Sequence, residues 1–159
     1  KTNTKGVTFS QADIDFLNEV GETILPATDT PGAKAANVGA FMQIIVSDCY
    51  EAKDQEIFMK GMKALNDASI KHHNKTFMES TPEERTAFLT ELDKEAKEYQ
   101  NNKKKEDPTH YFTMMKQLTL SGLFTSKIGA TEVLRYVAVP GKFEGCVPYT
   151  KGEKAWATS

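Results

Sequence analysis

The chain has 159 residues, and its 20 basic and 22 acidic side chains give a formal net charge of −2. The length suits one domain, and the lack of a basic excess argues against binding to a nucleic-acid backbone. No apolar run approaches the roughly 20 residues that span a bilayer. Two cysteines are too few for a disulfide-dense scaffold or for a zinc site made of cysteines alone.

Apolar residues recur at helical spacing through most of the chain, which predicts an all-α domain over residues 10–136. Residues 1–9 are expected to be a flexible lead-in and residues 137–159 an irregular C-terminal segment. Ser10 is the predicted N-cap of a first helix that ends before Pro26. A second helix carries an apolar stripe of Val38, Phe41, Met42, Ile45 and Cys49, and a third covers about residues 54–75.

The clearest helix start is at Thr81, because Pro82 suits a first turn and Glu84 completes a capping box. Thr109 is the predicted N-cap of the next helix, which extends to about Phe124. A short helix is expected over residues 126–136. The sequence therefore predicts a bundle of about six helices without strands.

Charge is distributed unevenly along the chain. Residues 81–107 hold 14 charged side chains in 27 positions, whereas residues 20–50 hold 4 in 31 and residues 108–149 hold 6 in 42. The charged helix is expected on the outside, and the two charge-poor segments are expected to be buried. The helix from about residue 110 to Phe124 is apolar nearly all round, so it is either central in the core or covered by a partner.

No motif for catalysis, cofactor binding or metal binding is found. A di-iron bundle needs Glu-x-x-His pairs, and neither His72, His73 nor His110 has a glutamate three residues before it. Glycine-rich nucleotide loops, a Gly-x-Ser-x-Gly elbow and a haem-attachment motif are also absent from the sequence. We therefore expect no catalytic, cofactor-binding or metal-binding residues.

The two cysteines leave three alternatives open. Cys49 lies on an apolar helical stripe, where a buried free thiol is the simplest expectation. A bridge between Cys49 and Cys146 would attach the C-terminal segment to the bundle. Alternatively, Cys146 forms a bridge with a partner chain.

Three stretches lie in charge-poor or turn-rich parts of the chain: ILPATDTPGAK at residues 24–34, LTLSGLFTSKIG at 118–129 and YVAVPGKFEGC at 136–146. Together they resemble the gluconate 2-dehydrogenase subunit 3 family. The resemblance implies a non-catalytic small subunit that accompanies a flavoprotein of the glucose–methanol–choline (GMC) type, which holds FAD and oxidises a sugar. It also implies a c-type cytochrome as a further partner, a periplasmic location, and export through a twin-arginine signal that this chain does not contain.

Two segments are candidates for the partner interface. The turn of Thr28, Asp29, Thr30, Pro31 and Gly32 is either a contact surface or only a connector, in which Asp29 or Thr30 caps the next helix. The C-terminal segment, with Pro140, Gly141, Phe143 and Tyr149, either contacts a partner or packs on its own bundle. The competing functions are a stand-alone helical ligand-binding module and, less favoured, a metal-dependent bundle enzyme.

Overall fold

The computed structural model describes residues 7–139, 141–142 and 145–157. These residues form five α-helices and one short π-helical turn, which are α1 (Gln11–Ile24), α2 (Val38–Cys49), α3 (Ala52–His73), α4 (Pro82–Asn102), α5 (Tyr111–Phe124) and the π-turn (Gly129–Val133). The described part of the chain contains no strand and a single isolated bridge between Arg135 and Trp156. The predicted all-α class is confirmed.

Two helix starts that were predicted from capping residues are confirmed. The Ser10 side chain accepts from the Asp13 amide while the Asp13 carboxylate accepts from the Ser10 amide, so α1 begins with a capping box. Thr81 and Glu84 form the same reciprocal pair at the start of α4. Each pair satisfies two backbone donors that a helix would otherwise leave free.

Two predicted boundaries are wrong. The N-cap of α5 is His110, whose Nδ1 accepts from the Phe112 amide at 3.2 Å, rather than Thr109. The helix expected over residues 126–136 is present but shorter, since the chain is helical over residues 127–133, has π-helical spacing at Gly129–Val133 and becomes extended at Leu134. Gly129 packs so tightly on the end of α5 that a Cβ there would collide with the Leu123 carbonyl. This crowded contact lies where the chain changes from α-helical to π-helical spacing.

Helix α5 is the centre of the bundle and contacts the other four helices and the π-turn. Its buried side chains include Phe112, Met115, Leu118 and Leu123. Because α5 packs on α2, the two charge-poor segments bury each other over these helices as expected. The expected burial is wrong for the end of the second segment, where residues 136–139 and 145–149 are exposed. In the described part of the chain, all buried hydrophobic residues lie from Phe9 to Leu123, so the core does not extend into the C-terminal segment.

Glycines allow the helices to approach closely. A Cβ at Gly39 of α2 would collide with the Ile14 carbonyl of α1, and one at Gly61 of α3 would collide with the Tyr111 side chain of α5. No helix in the described ranges is both long enough and apolar enough to cross a membrane.

Candidate partner-binding surface

The loop between α1 and α2, residues 25–37, is fastened by the carboxylate of Glu22. One oxygen of Glu22 accepts from the Ala27 amide and the other from the Lys34 amide, each at 2.8 Å. Gly32 is buried beneath this carboxylate, and a Cβ there would lie 2.5 Å from both carboxylate oxygens and from the Ala27 nitrogen. The glycine in the predicted turn is therefore required for close approach to Glu22.

The prediction that Asp29 or Thr30 caps the next helix is wrong. The first helical residue of α2 is Val38, and the Oδ1 atom of Asn18 in α1 accepts from the Gly39 amide at 2.8 Å. The Nδ2 group of Asn18 also donates to Oδ1 of Asn37, which has a left-handed backbone. The cap is thus supplied across a helix contact, by a residue 21 positions earlier in the chain.

A charged network joins the same loop to α4. The Glu19 carboxylate pairs with Lys34 at 2.7 Å and also with Arg85. Arg85 further donates to the Phe77 and Met78 carbonyls. Burial raises the pKa of the Glu19 carboxyl, but the hydrogen bond from Lys34 and the charges of Arg85 and Lys34 outweigh it and leave this pKa below its ordinary value. The loop is consequently held by Glu19 of α1, which is itself paired with Arg85 of α4.

The five predicted loop residues do not share one environment. Thr28 and Asp29 are exposed, Thr30 and Pro31 are half-buried, and Gly32 is buried. Of these five residues, a partner could therefore reach Thr28 and Asp29 and, less fully, Thr30 and Pro31.

The C-terminal segment exposes a set of apolar side chains, which we call the apolar set: Val137, Val139, Val147 and Tyr149. Val139 is 81% exposed and Tyr149 84% exposed. Gly141 is exposed too, with a positive φ of 76°. The predicted contact residues Pro140 and Phe143 lie outside the described residues. The four side chains of the apolar set do not pack on the bundle, and their contact with a partner stays a prediction.

The contact that fixes the end of this segment is not predicted from the sequence. The Arg135 guanidinium lies 3.9 Å from the centre of the Trp156 ring, and the backbones of the two residues form the isolated bridge. A signal was present in the sequence, because Trp156 is the single tryptophan of the chain and lies in its predicted irregular part. Pairing it with Arg135 nevertheless requires the tertiary structure.

The two predicted interface segments are anchored at different places. Residues 25–37 are bonded to α1 through Glu22 and Glu19, whereas residues 153–157 are bonded to residues 132–135 after α5. They are therefore two separately held candidates for a partner surface.

Both cysteines are free and exposed. The expectation of a buried Cys49 is wrong. Cys49 has the same helical phase as Val38, Met42 and Val46, but it is the last residue of α2, and the buried residues of that helix end at Val46. The pairing of Cys49 with Cys146, or of Cys146 with a partner, stays a prediction.

An open groove of about 410 Å³ runs between α1, α3 and the α3–α4 loop. Phe16, Met59, Met62 and Met78 contribute its apolar lining. Several of its polar groups already form hydrogen bonds within the protein. Asp13 accepts in the α1 cap, Asn66 accepts from the Phe77 amide, and Thr76 donates to Glu79. The described residues bring no group of three or more histidine, cysteine or acidic side chains together as a metal site.

The family model described as gluconate 2-dehydrogenase subunit 3 matches residues 11–141, which span all five helices, the loop of residues 25–37 and the first part of the C-terminal segment. No curated protein and no solved structure matches the chain significantly.

Proposed function

Because the chain belongs to the gluconate 2-dehydrogenase subunit 3 family, we propose that it is the small accessory subunit of a periplasmic, FAD-dependent sugar or sugar-acid dehydrogenase. In this proposal it binds a GMC-type flavoprotein, stabilises it and accompanies it through twin-arginine export. The flavoprotein supplies FAD and the substrate site, and a c-type cytochrome subunit takes the electrons.

The structural observation that supports this role is the exposed apolar set. Four of the exposed large apolar side chains lie on one segment, beyond the last buried hydrophobic residue of the described chain. A large exposed apolar patch in a folded protein marks an interaction site, and the proposal takes these four side chains to belong to one such patch. Aromatic residues such as Tyr149 are also enriched at protein–protein interfaces.

Co-purification with the flavoprotein tests the proposal. The tagged full-length protein, expressed in its native host together with its flavoprotein, is expected to bring down a yellow complex whose absorbance shows a flavin. The double variant Val139→Asp/Tyr149→Asp is expected to keep its helical circular dichroism and to lose most of the co-purified flavin, because the added charges would have to be buried in the interface.

The matched control is Gln100→Asp/Asn101→Asp, which adds the same charge at exposed positions on α4 and is expected to retain the flavoprotein. A wild-type protein that purifies alone and colourless would contradict the accessory role and favour a stand-alone ligand-binding module. A double variant that retains the flavin would place the contact surface elsewhere.

A further inference from the structure

We propose that His110 is a pH-sensitive cap of α5: the neutral imidazole caps this central helix, and protonation of the ring releases the cap and weakens the junction between α4 and α5. The switch lies entirely within this chain, so it operates whether or not a partner is bound.

The N-cap of α5 uses an acceptor that titrates near neutral pH. His110 has extended backbone angles, φ −63° and ψ 133°, and its Nδ1 accepts from the Phe112 amide at 3.2 Å. The side chains that usually cap helices are those of serine, threonine, aspartate and asparagine, and none of them loses its acceptor between pH 5 and pH 8. An imidazole nitrogen that accepts carries no proton, so the neutral ring has its proton on Nε2. Protonation of Nδ1 therefore removes the acceptor of the cap.

The charge that protonation adds is also unfavourable at this position. The N-terminus of a helix carries the positive end of the helix dipole, and α5 has no acidic residue in its first turn to offset a cation. The lost hydrogen bond and the repulsion from the dipole both oppose the protonated form of His110.

In the described part of the chain, the groups that face the imidazole come from α4 and α5. The Tyr111 ring stacks on it with centroids 4.5 Å apart, and the Tyr99 ring of α4 lies 5.5 Å away. Burial of His110 among these groups lowers its pKa, while the charge of the Glu95 carboxylate in α4 acts in the opposite direction. The lowering prevails, so the pKa of His110 lies below its ordinary value of 6.5 in the folded protein.

The cap lies where three helices meet. Tyr99 near the end of α4 donates its hydroxyl to the Pro108 carbonyl at 2.9 Å, just before His110. On the other side, Tyr111 packs directly against Gly61 of α3. A first turn of α5 without its cap would therefore hold both tyrosines less firmly. The stabilisation by the cap is complete above about pH 6.5 and is lost as the pH falls through the folded-state pKa of His110.

Thermal melting of the full-length protein at pH 7.5 and pH 5.5 tests this switch. His110→Asn keeps a side-chain acceptor at the N-cap that does not titrate. On acidification, the Tm of wild type is expected to fall by about 2–4 °C more than the Tm of His110→Asn, which is the loss of one N-cap in a chain of this size. Comparing the two proteins at each pH cancels the effect of the carboxylates that they share.

The matched control changes the other two histidines of the chain. His72 and His73 lie in the last turn of α3, where the Asn74 backbone amide supplies the cap. The double variant His72→Asn/His73→Asn is expected to keep the acid-induced fall in Tm that His110→Asn removes.

A pH titration of wild type by NMR measures the switch directly, without any substitution. The His110 ring signals and the Phe112 amide proton are expected to shift together, with a shared midpoint below about 6.5. Nitrogen chemical shifts of the neutral ring are expected to show the proton on Nε2.

Three results would overturn the inference. Equal falls in the Tm of wild type and His110→Asn would show that protonation of His110 releases no cap. A neutral ring with its proton on Nδ1 would show that the cap hydrogen bond does not form in solution. A His110 midpoint at or above about 6.5 would show that folding does not oppose protonation of this ring.

Discussion

Single carboxylates of α1 determine how the loop of residues 25–37 is held. Glu22 bonds two loop amides, and Glu19 pairs with Lys34 in that loop and Arg85 in α4. The Glu19 side chain is 17% exposed and that of Arg85 is 11% exposed. Partial burial makes their pair worth more than a pair on the open surface, where solvent screens the charges.

We expect Glu19→Gln to destabilise the protein by about 1–2 kcal/mol at pH 7, because charge-assisted hydrogen bonds from Lys34 and Arg85 are weakened. The pKa of Glu19 is lowered from 4.5 in the folded protein. Its contribution is therefore complete above about pH 4.5 and is lost as the pH falls through the folded-state pKa. Urea unfolding of both proteins from pH 7 to pH 3 measures this difference.

The matched control for this experiment is Glu56→Gln. Glu56 pairs with Lys60 on the surface of α3, and its removal is expected to leave the urea midpoint unchanged. A stability difference between wild type and Glu19→Gln that persists undiminished at pH 3 would contradict the ionic explanation.

At the scale of helices, glycines decide how closely pairs of elements can pack. Gly61 in the middle of α3 lies directly against the Tyr111 side chain of α5. Alanine is intrinsically the better helix former by about 1 kcal/mol. An added methyl group has no space at the α3–α5 contact, so steric overlap there opposes the stability that the higher helix propensity of alanine would add.

We expect Gly61→Ala to lower the free energy of unfolding by about 1–3 kcal/mol, the usual cost of overpacking, in spite of its higher helix propensity. Chemical denaturation followed by circular dichroism measures the change. The neighbouring exposed change Lys60→Ala is expected to stay within about 0.5 kcal/mol of wild type. Stabilisation by Gly61→Ala would mean that the two helices separate at little cost.

At the scale of the whole molecule, the helical core and the C-terminal segment are largely independent. The described buried hydrophobic residues end at Leu123, and the described part of residues 137–156 is exposed. We therefore expect a variant that ends at Tyr136 to keep its helical circular dichroism and to melt cooperatively within about 4 °C of the full chain. The same variant is expected to lose the flavoprotein in co-purification.

Thermal melting of the shortened variant, measured in parallel with flavoprotein capture, distinguishes a role of the C-terminal segment in folding from a role in binding. If the shortened variant were unfolded, the C-terminal segment would be part of the folding unit. If it were folded and still bound the flavoprotein, the exposed loop edge at Thr28 and Asp29 would become the favoured contact surface.

The sequence by itself determined the all-α class, the capping boxes at Ser10 and Thr81, and the burial of the two charge-poor helices. These features depend on helical periodicity and on residues three or four positions apart, so the local sequence contains the whole interaction. Only the tertiary structure decided which side chain caps α2, how Glu22 holds the loop, and that Arg135 meets Trp156. Each of those contacts joins residues that are distant along the chain or on different elements, and their pairing depends on how the helices pack rather than on any local pattern.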